Sequence, residues 1–292
     1  MKRQNYLNNK DLLKEIHKSK MSYCYVLEDE HKRYDIIVEN YEDIFKPEII
    51  QQARENRAHQ LSSEGYENAY NKWYVESKKP RDKPKQAETR VEPEEIDPDS
   101  LIFRVQTYEH IPETPGRKNK PKTTADLHEK VNFPPFKHYT KVEGEMHEVV
   151  RSHWEGGLDN GKFNCDHGNI TNELAKMFIK LCERYSMRSN WRGYTYVDEM
   201  RSFALLQLTQ IGLKFDESKS ANPFAYYTAT VTNAFTRYLN LEKRNQNIRD
   251  DLLQEAGMDP SWNRQFEHEA SEKAKYDEEM ERERKEQTGS NF

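Results

Sequence analysis

Lys214-Phe215-Asp216-Glu217-Ser218-Lys219-Ser220-Ala221-Asn222-Pro223-Phe224-Ala225-Tyr226-Tyr227, continued by residues 228–249, is the stretch around which the chain is organised. Asn222-Pro223 is a helix start, because Asn can cap the first free N–H groups and Pro fits the first helical position. Beyond it Phe224, Tyr227, Val231, Ala234, Phe235, Tyr238 and Leu241 recur at steps of three and four, the spacing of one buried helix face. A second stripe runs beside the first: Tyr226, Thr230, Asn233, Arg237 and Arg244. A ring, a hydroxyl, an amide and guanidinium groups in line can stack a base, read base edges and hold phosphates. The same stripe also suits a helix whose polar side is simply hydrated. Between residues 214 and 249 six Lys/Arg face three acids, net +3 in a chain of net charge −5.

Upstream, Thr171 or Asn169 caps a helix with Leu174, Met177, Phe178, Leu181 and Tyr185 as its apolar face, and Arg184, Arg188 and Arg192 mark its exit. A further helix over residues 196–213 turns Val197, Met200, Ala204, Leu208 and Ile211 inward. Its other side keeps Phe203, Leu205 and Leu206, more apolar than a hydrated face requires, which is the mark of a partner site or of packing on N-terminal segments. Downstream, residues 250–257 read as a separate short helix stopped at Gly257. Residues 267–286 alternate acid and base, a solvated helix or a disordered tail.

Toward the N-terminus a helix is predicted over residues 5–18, capped by Asn8 or Asn9, with Leu12, Leu13 and Ile16 on one side. It either docks on a partner or packs on its own domain. Residues 22–29 read as a strand or a short apolar run, and a second helical pattern reaches about residue 74 with Leu61, Tyr66, Ala69, Tyr70 and Trp73. From residue 77 prolines and like-charge blocks favour extended linker: Lys78, Lys79, Arg81, Lys83 and Lys85, then Glu88, Glu92, Glu94 and Glu95, and later Arg117, Lys118, Lys120 and Lys122. Residues 101–108 are strand-like, and Phe133-Pro134-Pro135-Phe136-Lys137-His138-Tyr139 is an extended docking patch. His147, His153, Cys165 and His167 lack the Cys-x-x-Cys pair or regular His spacing of a zinc site, and no metal or other cofactor is expected.

Of the 292 residues 34% are hydrophobic and 33% charged, so one modest core is expected. Mean hydropathy is −1.14. No run approaches the ~18–20 apolar residues of a membrane span, and Cys24, Cys165 and Cys182 form no disulfide framework, which suits a reducing cytoplasm. No nucleophile–base pair or phosphate loop points to an enzyme.

Glu199-Met200, Gly212-Leu213-Lys214-Phe215-Asp216-Glu217-Ser218-Lys219, Asn222-Pro223-Phe224-Ala225-Tyr226-Tyr227-Thr228 and Asn233-Ala234-Phe235, in this order, resemble region two of sigma factors. More narrowly they resemble the late-transcription sigma factors of T-even-type tailed phages, cyanophage type, as does the opening Asn5-Tyr6-Leu7-Asn8-Asn9-Lys10-Asp11-Leu12-Leu13. The resemblance implies a mainly α protein: a sigma region-two helical domain with an extended, partly irregular N-terminal extension containing a few short strands. The expected division is an N-terminal helical segment over 1–76, a Pro/Lys-rich linker with docking segments over 77–168, the helical domain over 169–256 and a charged tail over 257–292.

The resemblance further implies a protein that does no covalent chemistry. It would bind host core RNA polymerase, at the clamp of the largest subunit, in the cytoplasm of an infected bacterium. It would direct the enzyme to AT-rich late promoters by recognising and melting a −10-type element. Glu199, Ser202, Phe203, Leu205 and Thr209 would face the polymerase. Tyr226, Tyr227, Thr230 and Asn233 would meet the DNA as it passes from double to single strand, with Tyr226 under a flipped adenine and Asn233 on the pair upstream. Arg237, Lys243, Arg244 and Arg249 would hold the backbone. A phage coactivator is a further candidate partner. Two departures matter. Ala229-Thr230 stands where primary sigma factors carry a tryptophan pair, and nothing resembles the domain that reads a −35 element. The tail Glu286-Gln287-Thr288-Gly289-Ser290-Asn291-Phe292 lacks the hydrophobic-acidic ending of the family, so coupling to a sliding clamp does not follow. A polymerase-binding regulator that does not read DNA is the alternative.

Overall fold

The computed structural model describes residues 7–77, 79, 82–114 and 123–289. Asn8 opens the first helix, α1 (Asn9–Met21), its side-chain oxygen accepting the Asp11 N–H at 2.7 Å. Leu12 and Ile16 on its inner side are buried against the helical domain, so this helix packs at home. The chain then gives β1 (Cys24–Val26), β2 (Ile36–Val38) and the long α2 (Pro47–Glu76). There follow β3 (Ile102–Gln106), one turn of helix α3 (Thr124–Leu127), β4 (Phe136–Val142), β5 (Glu145–Ser152) and the small pair β6 (Trp154–Glu155) and β7 (Lys162–Phe163). The helical part comprises α4 (Asn172–Ser186), α5 (Val197–Ile211), α6 (Pro223–Glu255) and α7 (Trp262–Gly289). Helix is the main secondary structure.

β1 to β5 form one sheet in the order β1-β5-β4-β3-β2, antiparallel except for the β2–β3 pair. It draws strands from both sides of residue 77, so residues 1–76 and 77–168 do not fold as a helical segment followed by a linker. α2 covers one face, where Ala53 and Ala58 meet Ile36, Val38, Phe103 and Val105. The opposite face, through Phe136 and Val150, meets α1 and the α4–α6 helices in the larger core. The stretch expected to be extended linker instead runs back along α2. The Val91 N–H donates to Ser62 Oγ at 2.9 Å, Arg54 Nε donates to the Ile96 carbonyl at 3.0 Å, and Ile96 is buried. The basic residues Lys78, Arg81, Arg117, Lys118, Lys120 and Lys122 lie outside the described residues.

Sheet and helices are joined by polar groups in the interior. Arg104 on β3 is 2% exposed, its guanidinium 3.8 Å from the Tyr34 ring centre and 3.9 Å from that of Phe136. Its Nε donates to His138 Nε2 at 2.9 Å and a terminal nitrogen donates to His17 Nδ1 at 3.1 Å. Arginine only donates, so both imidazoles must accept there and each carries its proton on the other nitrogen. That proton goes from His17 Nε2 to the Lys32 carbonyl at 2.7 Å, and from His138 Nδ1 to the His31 carbonyl at 2.9 Å. Both rings are therefore neutral. Burial, then the Arg104 charge, holds His17 down to about 3 and His138 well below its ordinary value.

Candidate interface on helices α5 and α6

The loop before α6 is fixed on three sides. Lys20 of α1 bonds the Phe215 carbonyl and the Glu217 carboxylate, each at 2.6 Å. Gln106 of β3 donates to Asp216 at 3.0 Å, and Asp216 accepts the Ser218 N–H at 3.0 Å and its hydroxyl at 2.7 Å. Burial alone would raise the Glu217 carboxyl, but Lys20 and Arg104 beside it bring it below the usual carboxylate value. Asn222 then caps α6 as its sequence requires, accepting the Ala225 N–H at 3.0 Å. Asn9 of α1 accepts the next free donor, the Phe224 N–H, at 3.1 Å. Pro223 fills the first helical position.

α6 buries Tyr227, Val231, Ala234 and Phe235, the expected core stripe. Phe224 and Leu241, placed at its ends by spacing, are 38% and 48% exposed, because the core narrows at the first turn and has ended by Leu241. Tyr227 corrects the DNA-contact set. It is 0% exposed, its hydroxyl donates to the Gly212 carbonyl at 2.6 Å, and Phe178 meets its ring edge-on at 4.9 Å. A ring enclosed in this way has no surface for a nucleotide, and it serves to close α6 onto the end of α5.

The neighbouring stripe does come together. Tyr226 is half-buried, its ring 5.5 Å from both Phe215 and Tyr227, and burial raises its phenol. Thr230 is half-buried and its hydroxyl donates to the Tyr226 carbonyl at 3.1 Å, leaving it only acceptor capacity. Asn233, Arg237 and Arg244 are exposed. At about 100° per residue these five side chains share one edge, whereas Lys243 is turned roughly 100° from it and Arg249 further still. Both are exposed, on other faces of the same helix. The helix is also longer than expected. It runs unbroken to Glu255, so residues 250–257 form no separate element, and Gly257 at φ +73 ends it.

α5 packs alongside, burying Met200, Ala204 and Leu208. Glu199, Ser202 and Thr209 are exposed, though the two hydroxyls donate back to the helix, Ser202 to the Asp198 carbonyl at 3.0 Å and Thr209 to the Leu206 carbonyl at 2.8 Å. Phe203 is half-buried, its ring 5.8 Å from Tyr238. Leu205 packs against the core; the outward leucine is Leu206, 52% exposed. Asp198, Glu199, Ser202, Phe203 and Leu206 line a shallow groove. Leu206 was missing from the expected contact set although its position one helical turn beyond Ser202 and Phe203 marks it. The Lys20–Glu217 joint was also missed, since its two members lie far apart in sequence.

Among the described residues no group of three or more His, Cys, Asp or Glu side chains is arranged to hold a metal ion, and no helix is long and apolar enough to cross a membrane. His153, one of the residues weighed for zinc, is buried with its ring 4.0 Å from that of Phe133. No family model and no curated protein matches the sequence, and no solved structure matches the fold.

Proposed function

We propose that this chain is a sigma factor of the phage late-transcription type, acting in the cytoplasm of an infected bacterium. It binds core RNA polymerase through the α5 groove and brings it to AT-rich promoters. There the α6 edge recognises and melts a −10-type element. The observation that carries the reading is the pairing of two faces on one packed helix pair: an apolar-acidic groove at Glu199, Ser202, Phe203 and Leu206 beside an aromatic, amide and guanidinium edge at Tyr226, Thr230, Asn233, Arg237 and Arg244. The energies are commensurate. Opening a base-pair step costs about 1.4 kcal/mol, and an unstacked base on an aromatic ring recovers roughly 1–3 kcal/mol. No group in the site performs bond chemistry; the work is binding and deformation.

A second reading has one observation in its favour. Tyr226 already packs edge-on against Phe215 and Tyr227, as a ring with only a structural role would. On that reading the chain is a polymerase-binding regulator that uses the α5 groove alone. Run-off transcription by core polymerase from an AT-rich late promoter separates the two. Specific initiation with the wild-type chain, lost in Tyr226→Ala while polymerase binding persists, supports the sigma reading. Polymerase binding without any directed initiation supports the regulator.

A further inference from the structure

Helix α4 carries a row of cations that neither the core nor the α5–α6 faces use. Lys176, Lys180 and Arg184 follow at four-residue steps, and Arg188 and Arg192 continue the spacing through the turn beyond the helix. Within the helix a four-residue step advances about 6 Å and stays near one face, which covers Lys176, Lys180 and Arg184. The buried residues Leu174, Phe178, Leu181, Cys182 and Tyr185 take the opposite side, and Arg184, Arg188 and Arg192 are exposed. Lys176 pairs with Glu173 at 2.7 Å in a solvent-exposed contact. Among the described residues no carboxylate forms an ion pair with Arg184, Arg188 or Arg192. Like charges at this spacing disfavour a helix, so the row is not an arrangement that stability selects.

The row is also placed. Arg188 lies over the Tyr185 ring at 4.4 Å, which positions the guanidinium without neutralising it. Tyr185 and Trp191 pack on Phe235 of α6 at 5.0 and 5.2 Å. The turn bearing Arg188 and Arg192 therefore rests against the buried side of α6 at Phe235, about half a turn round that helix from the Tyr226–Arg244 edge, so the row is a surface separate from that edge. In a chain of net charge −5 such a local concentration sets where and in which orientation a polyanion is received.

We propose that the outer edge of α4 and the turn after it form a sequence-independent phosphate-binding track for nucleic acid. It extends the reading above, on which it rests for the identity of the nucleic acid, from a site that reads bases to one that positions the backbone. Phosphate contacts of this kind release counterions, so each contributes about 0.9 to the slope of log affinity against log salt on duplex DNA.

The test uses the full chain and a labelled mixed-sequence DNA, as duplex and as single strand, titrated over a series of salt concentrations. The track variant is Arg184→Gln with Arg188→Gln and Arg192→Gln. A control of equal charge change is Lys273→Gln with Lys275→Gln and Arg282→Gln on α7. Both must melt at the wild-type temperature. The expected result is a slope flattened by about 2 to 3 in the track variant, for any duplex sequence, and unchanged in the control. An unchanged slope in the track variant overturns the proposal, as does equal flattening in the control or a wild-type chain that binds no DNA. Competition by polyglutamate as effective as that by DNA overturns it too, since the edge then fits an acidic polypeptide. Promoter-directed run-off with an unchanged slope removes the track and keeps the sigma reading. A flattened slope with no directed run-off does the reverse.

Discussion

The Lys20 ammonium lies 2.6 Å from the Glu217 carboxylate, with the two side chains 2% and 10% exposed, and so ties the first helix to the loop that enters α6. Removing one member of a buried pair leaves the other charge without its partner, at about 3–5 kcal/mol. Lys20→Met and Glu217→Leu should each destabilise by that order in urea unfolding. The double variant should lose clearly less than the sum of the two, because neither charge is then stranded. Additive losses would show that the pair is not coupled.

Acid should weaken the neighbouring interior cluster of Arg104, His17 and His138. His17 is held down to about 3 by burial first and the Arg104 charge second, and His138 is lowered by the same causes. In the unfolded chain both titrate near the ordinary value of about 6.5. Between that value and about 3 the unfolded state binds more protons than the folded one, so stability falls as pH drops below about 6.5. Each histidine contributes up to about 1.4 kcal/mol per pH unit in that window. His17→Gln should reduce the slope of unfolding free energy between pH 6.5 and 4.5; a slope equal to wild type would count against a neutral buried imidazole.

The contact at Gly212 should be intolerant of even one methyl group. A Cβ there would stand 2.7 Å from Phe178 Cζ, and Phe178 is itself buried. Gly212→Ala should therefore cost about 1–3 kcal/mol by overpacking. Tyr227→Phe, which removes the donor to the Gly212 carbonyl, should cost about 0.5–1.5 kcal/mol. Thermal melts check both. Because Tyr227 is enclosed, its Phe variant should leave DNA binding untouched, in contrast with Tyr226→Ala.

How far the sequence foretells this structure varies along the chain. Helices α4 to α6 were legible because their inward residues are apolar and repeat at 3.6-residue spacing, and Asn222-Pro223 announces its own cap. The strands β1 and β3 were read at residues 22–29 and 101–108, but their pairing into one five-stranded sheet was hidden for the opposite reason. Arg104, Lys137 and His138 are buried in β3 and β4, so the strands lack a clean apolar alternation, and the groups that meet Arg104 and His138, namely Tyr34, His17 and the His31 carbonyl, lie far off in sequence. Periodicity reports local burial and is blind to a polar interior satisfied by distant groups. The stripe on α6 was readable as a stripe, and its spacing already set Tyr227 on the buried face; only the family resemblance had turned that ring toward DNA.

The Arg237 guanidinium lies 5.8 Å from the centre of the Phe203 ring, so the groove on α5 and the edge on α6 share a seam. A substitution on one side should therefore be felt on the other. Phe203→Asp places a carboxylate within reach of Arg237 and strips the groove of its ring. Binding to core polymerase should be lost, and Arg237 should be drawn away from DNA, so directed run-off should vanish as well. Phe203→Leu keeps the apolar wall and forfeits only the cation–π contact, about 0.5–1 kcal/mol at an exposed site; polymerase co-purification should survive it. Arg237→Gln, conversely, should retain polymerase binding and lower the salt slope of DNA binding by about 1, uniformly across sequences. Co-purification with core polymerase and the salt titration read the two sides independently. Retained polymerase binding in Phe203→Asp would place the polymerase contact away from this groove, and a salt slope unmoved by Arg237→Gln would take the α6 edge off the DNA.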